Sequence, residues 1–336
     1  MATSAAPDTS PVDFVDLTLS LCNAQALLTG LELGLFTALH AAPADAATIR
    51  SRLGLAGRGL SDWLDLLVCN GLLERDGERY RNTPAADRYL VRNSPAYTGE
   101  VLQRRLFPAL SGLTESLRTG RPHAGEEFME AVHGLDVLRH FANQMDHITE
   151  PLAPLLIKAY DGWERHGSVL DVGGCRGNVV SHILAAHPHL TGQVFDLPTL
   201  APLFEEKAAQ RGMTGRMTFH PGDFLTDPLP PADLVLIGHV LVNWDAERRG
   251  LLIRKAFDCL TPGGALLVYD RMLTGSPGDT ESANLRVSLS MLLVTTGGSS
   301  YTFGHLCDQA AAAGFADVGR HRLGAHDTLA VCRKPA

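Results

Sequence analysis

The chain has 336 residues, 45% of them hydrophobic, which is too long for one typical domain and suits two with ordinary cores. A net charge of −8 argues against a nucleic-acid partner held through phosphates, and no uninterrupted apolar run reaches membrane-spanning length. The small, polar start from Met1 to Pro11 lacks the pattern of a secretory signal, and six scattered cysteines without a C-x-x-C pair suggest no metal and a cytoplasmic protein with reduced thiols.

From Leu17 to about Gly120 the chain reads as helical with a small β-wing. One long apolar helix is expected over Leu17–Leu39, followed by helices around Ala47–Leu53 and Leu60–Asn70. Gly71–Arg81 then reads as a hairpin, with Asp76-Gly77 as its turn signal. Three helices and a wing form a winged-helix pattern. A DNA-reading helix needs a basic face, whereas Ser61-Asp62-Trp63-Leu64-Asp65 is acidic, so residues 1–120 are read as a packing or dimerisation domain. The Leu17–Leu39 helix has more apolar face than a small winged domain needs, which predicts a homodimer. Residues 121–160 read as a helical connector between domains.

Residues 161–336 alternate strand and helix. Strands are expected at Ser168–Val172, Gly192–Asp196, Met217–His220, Ala232–Ile237 and Ala265–Tyr269, with helices at Asn178–His187 and Glu247–Leu260. Pro262-Gly263-Gly264 reads as the turn closing the latter helix. Arg320–Arg322 and Thr328–Cys332 read as late antiparallel strands. This order implies an α/β fold with a doubly wound, mainly parallel sheet whose ligands sit at the carboxyl ends of the strands.

The loop after the first of these strands is Asp171-Val172-Gly173-Gly174-Cys175-Arg176-Gly177-Asn178. Its glycines allow a tight turn and a close ligand approach. Glycines at 173, 174 and 177 do not match the G-x-G-x-x-G spacing of nicotinamide sites. Asp196 ends the second strand, where a carboxylate accepts both hydroxyls of a ribose. Asp223 and Phe224 follow the third, placed for an adenine amino group and its ring. Leu197 and Gly238 complete the expected cofactor set at the ends of the second and fourth strands.

Val169–Gly177, Phe195-Asp196-Leu197-Pro198 and Gly222-Asp223-Phe224 together resemble the small-molecule O-methyltransferases of plant and bacterial secondary metabolism. The resemblance covers nearly the whole chain. It implies an N-terminal winged-helix dimerisation domain, a class I methyltransferase domain and S-adenosylmethionine as cofactor. It also implies contacts to that cofactor from Gly173, Gly174, Asp196, Asp223 and Phe224. Phe141–Met145, placed before the interdomain helix, resembles the segment whose Met lines the acceptor pocket. Met145, His147, Asn243, Arg286 and Met291 are therefore the expected acceptor-side residues.

One departure bears on mechanism. The fourth strand runs into Gly238-His239-Val240-Leu241-Val242-Asn243-Trp244, where the family reads H-x-L-H-D-W with the second His as general base. Val242 stands at that position and cannot accept a proton. His239 and Asn243 remain as candidate catalytic groups, Asn243 by hydrogen bonding only. Alignment alone supplies roughly 7–11 kcal/mol in well-oriented systems. Proximity-driven O-methylation of an aromatic acceptor is favoured, with C-methylation of an electron-rich carbon as the alternative. Three other readings stay open: a nicotinamide oxidoreductase, a metabolite-sensing winged-helix regulator, and a fold member that binds without transferring a methyl.

Overall fold

A computed structural model describes residues 14–103, 107–123, 134–276, 278 and 281–336; the Met1–Pro11 reading lies outside them. The chain divides into two compact units, 1–103 and 104–336.

In the first unit the expected Leu17–Leu39 helix is three helices, Phe14–Leu19, Leu21–Leu33 and Leu35–Ala41. Gly34 makes the second break. It sits at φ 74°, and its N–H bonds back to the Gly30 and Leu31 carbonyls, a left-handed cap that costs glycine little. Helices Ala46–Leu53 and Leu60–Cys69 follow, the former capped by Asp45, whose side chain accepts the Thr48 N–H at 2.7 Å. Strands β1 (Ala44–Asp45), β2 (Leu73–Asp76) and β3 (Arg79–Asn82) form an antiparallel sheet in the order β1-β3-β2. The wing is therefore present, with an extra strand too short to show periodicity. Asp65, part of the acidic stretch, is used internally: it accepts from Tyr80 Oη at 2.9 Å and from Arg75 at 3.0 Å. Leu31, Leu35, Phe36, Leu64, Leu67 and Tyr80 fill the core. Leu17, Leu19 and Leu21 stay 65%, 55% and 70% exposed.

The second unit is built on a seven-stranded sheet of order β6-β5-β4-β7-β8-β10-β9. The strands are β4 (Ser168–Val172), β5 (Thr191–Asp196), β6 (Met217–Pro221), β7 (Ala232–Gly238), β8 (Leu260–Asp270), β9 (Asp317–Leu323) and β10 (Asp327–Arg333). The first five are parallel, and β10 is antiparallel to β8 and β9. Apolar clusters cover both faces, as a buried parallel sheet requires. The doubly wound, mainly parallel fold is thus the one expected. The Pro262-Gly263-Gly264 turn is not: β8 begins at Leu260, directly after the helix Ala246–Cys259, and absorbs these residues as a register shift opposite Ala232 and Leu234. The helices Ala201–Gln210 and Phe303–Ala313 were not anticipated. Phe141–Met145 lie inside the helix Leu135–Thr149. Among the described residues no single helix is long and apolar enough to cross a membrane.

From β4 the chain winds outward through β5 to β6, then returns to β7 on the other side of β4. The carboxyl ends of β4 and β7 are therefore the switch point where ligands enter such sheets.

Candidate active site

The loops after β4 and β7 meet at Gly173. Its φ is 73°, and a Cβ there would lie 2.6 Å from Val240 Cγ2 and 3.5 Å from Phe224 Cε1. A Cβ on Gly174 would lie 2.6 Å from the Asp171 carboxylate, so neither glycine has room for a side chain. Gly177, at φ 78°, is the N-cap of the helix Asn178–Ala186, and a Cβ there would strike Met217 Cε at 2.4 Å in the core. Its requirement is packing beneath the loop. Gly238 is similarly forced, since the Tyr269 ring passes 1.9 Å from its Cβ position.

Asp196 closes β5 and faces this loop. Its Oδ2 accepts the Cys175 N–H at 2.8 Å and its Oδ1 the Leu197 N–H at 2.7 Å, so each oxygen keeps acceptor capacity. Burial raises its pKa to about 6, against the pull of those two N–H groups. Asp171, one strand over, is pushed up to about 7 by burial and by the Asp196 charge. The two buried carboxylates form an acceptor-rich wall suited to donor hydroxyls.

Beyond β6, Asp223 Oδ1 accepts the Leu225 N–H at 2.8 Å, while its own N–H is held by Asp227 Oδ2 at 2.8 Å. Phe224 meets Trp244 edge-on, with ring centroids 6.0 Å apart. Trp244 Nε1 is buried with no partner among the described residues. Trp244 and Val240 were not singled out in the sequence. Their signal was present, because both lie in the strand-end segment that holds Val242.

Past β7 the backbone reaches φ 54° at His239, an uncommon left-handed value for a residue with a side chain. The imidazole turns toward two carboxylates: Nε2 lies 3.0 Å from Asp327 Oδ1 and Nδ1 3.9 Å from Asp270 Oδ1. Burial alone would lower its pKa, but contact with Asp327 and the fields of Asp270 and Asp327 raise it above the usual value. Asp270 in turn accepts the Val242 N–H at 3.2 Å and the Tyr301 hydroxyl at 3.1 Å. Asn243 Nδ2 donates to the His239 carbonyl at 3.1 Å. The following helix is capped by Asp245, which accepts the Arg248 N–H at 2.9 Å, so Asn243 is not its cap. Gly298 passes over this turn, its Cβ position 2.8 Å from the Asn243 carbonyl. Asp327 is absent from any local motif; only the pairing of β10 with β8 brings it here.

The remaining candidates lie on two helices. Met145 is half-buried and His147 exposed on Leu135–Thr149, two positions apart and so on different faces. Arg286 is exposed on the helix Ser282–Val294, and Met291 packs with Ala109, Leu293 and Val294. Asp146, between Met145 and His147, receives Arg176 of the glycine loop and Lys207 at 2.6 Å. The helix of Met145 is thereby tied to the loop of Gly173.

Comparison with known proteins places this arrangement. The family model described as O-methyltransferase domain matches residues 119–316, and that of the O-methyltransferase dimerisation domain matches residues 15–92. The tetracenomycin polyketide synthesis 8-O-methyl transferase TcmO of Streptomyces glaucescens is 40% identical, over 97% of each chain. The N,N-dimethyltransferase OxyT of Streptomyces rimosus is 41% identical over 80% of this chain and 81% of that one. Human N-acetylserotonin methyltransferase, solved in complex with SAM, superposes with a TM-score of 0.81 at 25% identity, covering 98% of this chain and 99% of that one. With a family match over more than half its length and relatives of this identity, the chain belongs to the O-methyltransferase family.

Proposed function

We propose that the protein transfers a methyl group from S-adenosylmethionine to a phenolic hydroxyl of an aromatic, polyketide-type secondary metabolite, by holding the acceptor in line rather than by removing its proton with a histidine. The observation that carries this reading is the buried Asp196–Asp171 wall opposite a glycine loop with no room for a Cβ. It suits a nucleoside: Asp196 takes the two ribose hydroxyls, Asp223 the adenine amino group, and Phe224 and Trp244 border the ring. Gly173 and Gly174 let the backbone come close, Leu197 and Gly238 border the same strand ends, and Gly177 serves the helix beneath. When bound, S-adenosylmethionine supplies an electrophilic methyl on a sulfonium, so neither a metal nor an enzyme nucleophile is called for.

The protein's task is then alignment. Asn243 has its amide nitrogen occupied by the His239 carbonyl, which leaves Oδ1 to accept the hydrogen of an acceptor hydroxyl. His239 is held above its usual pKa by the Asp327 and Asp270 carboxylates that its two ring nitrogens face, which makes it poorly suited as a base for an acceptor. A phenol of pKa near 10 costs roughly 4 kcal/mol to ionise at pH 7. An acidified phenol, such as one hydrogen-bonded to a neighbouring ring carbonyl, largely avoids that cost. TcmO is named for O-methylation in polyketide synthesis and supports this class; OxyT is named for N,N-dimethylation and makes nitrogen the competing atom.

A homodimer fits the dimerisation-domain match and the exposed Leu17, Leu19 and Leu21. The experiment is incubation with methyl-labelled S-adenosylmethionine and a panel of polycyclic phenols, anilines and carbon nucleophiles. Label in an O-methyl product is expected. Label on nitrogen or carbon, or none with any acceptor, overturns the reading.

A further inference from the structure

The carboxyl ends of β4 and β5 carry the reading above; their opposite ends carry a separate cluster. Glu164 lies on the single turn Trp163–Arg165 just before β4. His187 closes the helix Asn178–Ala186, and His189 follows two residues later, ahead of β5. We propose that Glu164, His187 and His189 bind one transition-metal dication of the zinc class, as a structural site at the entrance to these two strands.

Glu164 Oε1 lies 3.4 Å from His187 Nδ1, and Oε2 lies 3.9 Å from His189 Nδ1. The three donor atoms fall within 4.8 Å of one another. Tetrahedral zinc with bonds of about 2.0–2.1 Å spaces its ligands by about 3.4 Å, so one edge already matches and a side-chain rotation of His189 closes the rest. His189 is 37% exposed.

One buried residue, Trp163, touches both histidines. The Trp163 ring stacks on His187, with centroids 5.2 Å apart and planes 24° from parallel. The Trp163 carbonyl lies 3.1 Å from His189 Nε2. If that nitrogen carries the hydrogen, the Nδ1 lone pair is left facing Glu164, the backbone-carbonyl arrangement that orients metal-bound imidazoles. Trp163 itself is fixed by its Nε1–H, which donates to the Ile157 carbonyl at 2.9 Å. His187 Nε2 is buried with no partner among the described residues, so Nδ1 is the nitrogen this ring offers. Two imidazoles and a carboxylate select zinc, copper or nickel over magnesium or calcium, and water completes the shell. Cysteine spacing gives no hint of such a site; His187-Pro188-His189 does so only once the fold brings Glu164 beside it.

The test is calorimetric titration of untagged protein with zinc chloride and, separately, magnesium chloride, with melting temperature as a second readout. Saturable binding of one zinc is expected, with a rise in melting temperature by mass action and no response to magnesium. Glu164→Gln and His189→Asn should each weaken zinc binding at least tenfold, with cofactor binding unchanged. Glu164 is 80% exposed, so its variant tests the site without threatening the fold. The proposal is overturned if no saturable zinc binding occurs. It is equally overturned if a variant combining Glu164→Gln with His189→Asn keeps full affinity, which would place the ion elsewhere, for example on exposed Cys22 or Cys69.

Discussion

Arg176 reaches Asp146 through two nitrogens, Nε at 3.0 Å and Nη2 at 2.7 Å, and so joins the glycine loop to the helix Leu135–Thr149. Arg176 also donates to Asn143 Oδ1 at 2.8 Å, and Lys207 adds a second cation to Asp146. The side chains of the pair are only 13% and 14% exposed. The loop proposed to hold the cofactor and the helix proposed to face the acceptor are thus one mechanical piece.

Removing one member of a largely buried ion pair leaves the other uncompensated, at a cost of about 3–5 kcal/mol. Asp146→Ala strands two cations and should lower the melting temperature by about 6–20 °C, at about 2–4 °C per kcal/mol for a unit of this size. Adding Arg176→Met should recover part of that loss. Thermal unfolding followed by circular dichroism checks both; a single variant that melts with wild type would remove the clamp from the account.

With Asp196 proposed as the ribose acceptor, its pKa predicts how cofactor binding depends on pH. Its pKa of about 6 lies above the ordinary carboxylate value, so without cofactor the fold favours the protonated form. That preference stabilises the fold fully below pH about 4 and is lost as pH rises through about 6. Hydroxyl donors favour the ionised form instead. Affinity for S-adenosylhomocysteine should therefore fall as pH drops below about 6, and binding near pH 6 should release a proton. Calorimetry in buffers of different ionisation enthalpy measures that proton; in Asp196→Asn the release should shrink.

The strand-end turn makes a kinetic prediction. Removing a true general base costs about 10²–10⁴-fold. His239→Ala should keep measurable turnover, because its ring is committed to Asp327 and Asp270. Asn243→Ala should lose more than His239→Ala in single-turnover rate, with cofactor affinity unchanged. The rate should rise with pH as the acceptor ionises, with no inflection near 6.5. A loss of more than about 10⁴-fold in His239→Ala, with cofactor still bound, would identify His239 as the base.

Much of the second unit could be read from the chain because parallel strands are apolar runs punctuated by Gly and Pro. β4 was expected at Ser168–Val172 and lies there, and Asp171, Gly173, Asp196 and Asp223 fall at strand ends as the pattern required. The failures have local causes. Gly34 splits the first apolar stretch because a left-handed cap outweighs continuous apolar periodicity. Pro262–Gly264 lie within β8 as an unpaired irregularity between Leu260 and Ala265, with Gly263 at φ 75°, so the turn chemistry is kept locally while the strand continues on either side. Asp327 and the Asp146–Arg176 pair could not be read at all, since each depends on residues that only the tertiary fold brings together.

Asp196 and the glycine loop are proposed to hold S-adenosylmethionine through its ribose. The direct measurement is isothermal titration of S-adenosylhomocysteine into wild type and Asp196→Ala, with NAD as control. Loss of a charged acceptor for two hydroxyls is worth about 2–4 kcal/mol, so affinity should fall about 30- to 1,000-fold while NAD gives no binding heat. Equal affinity in wild type and variant, or saturable NAD binding, would contradict the account.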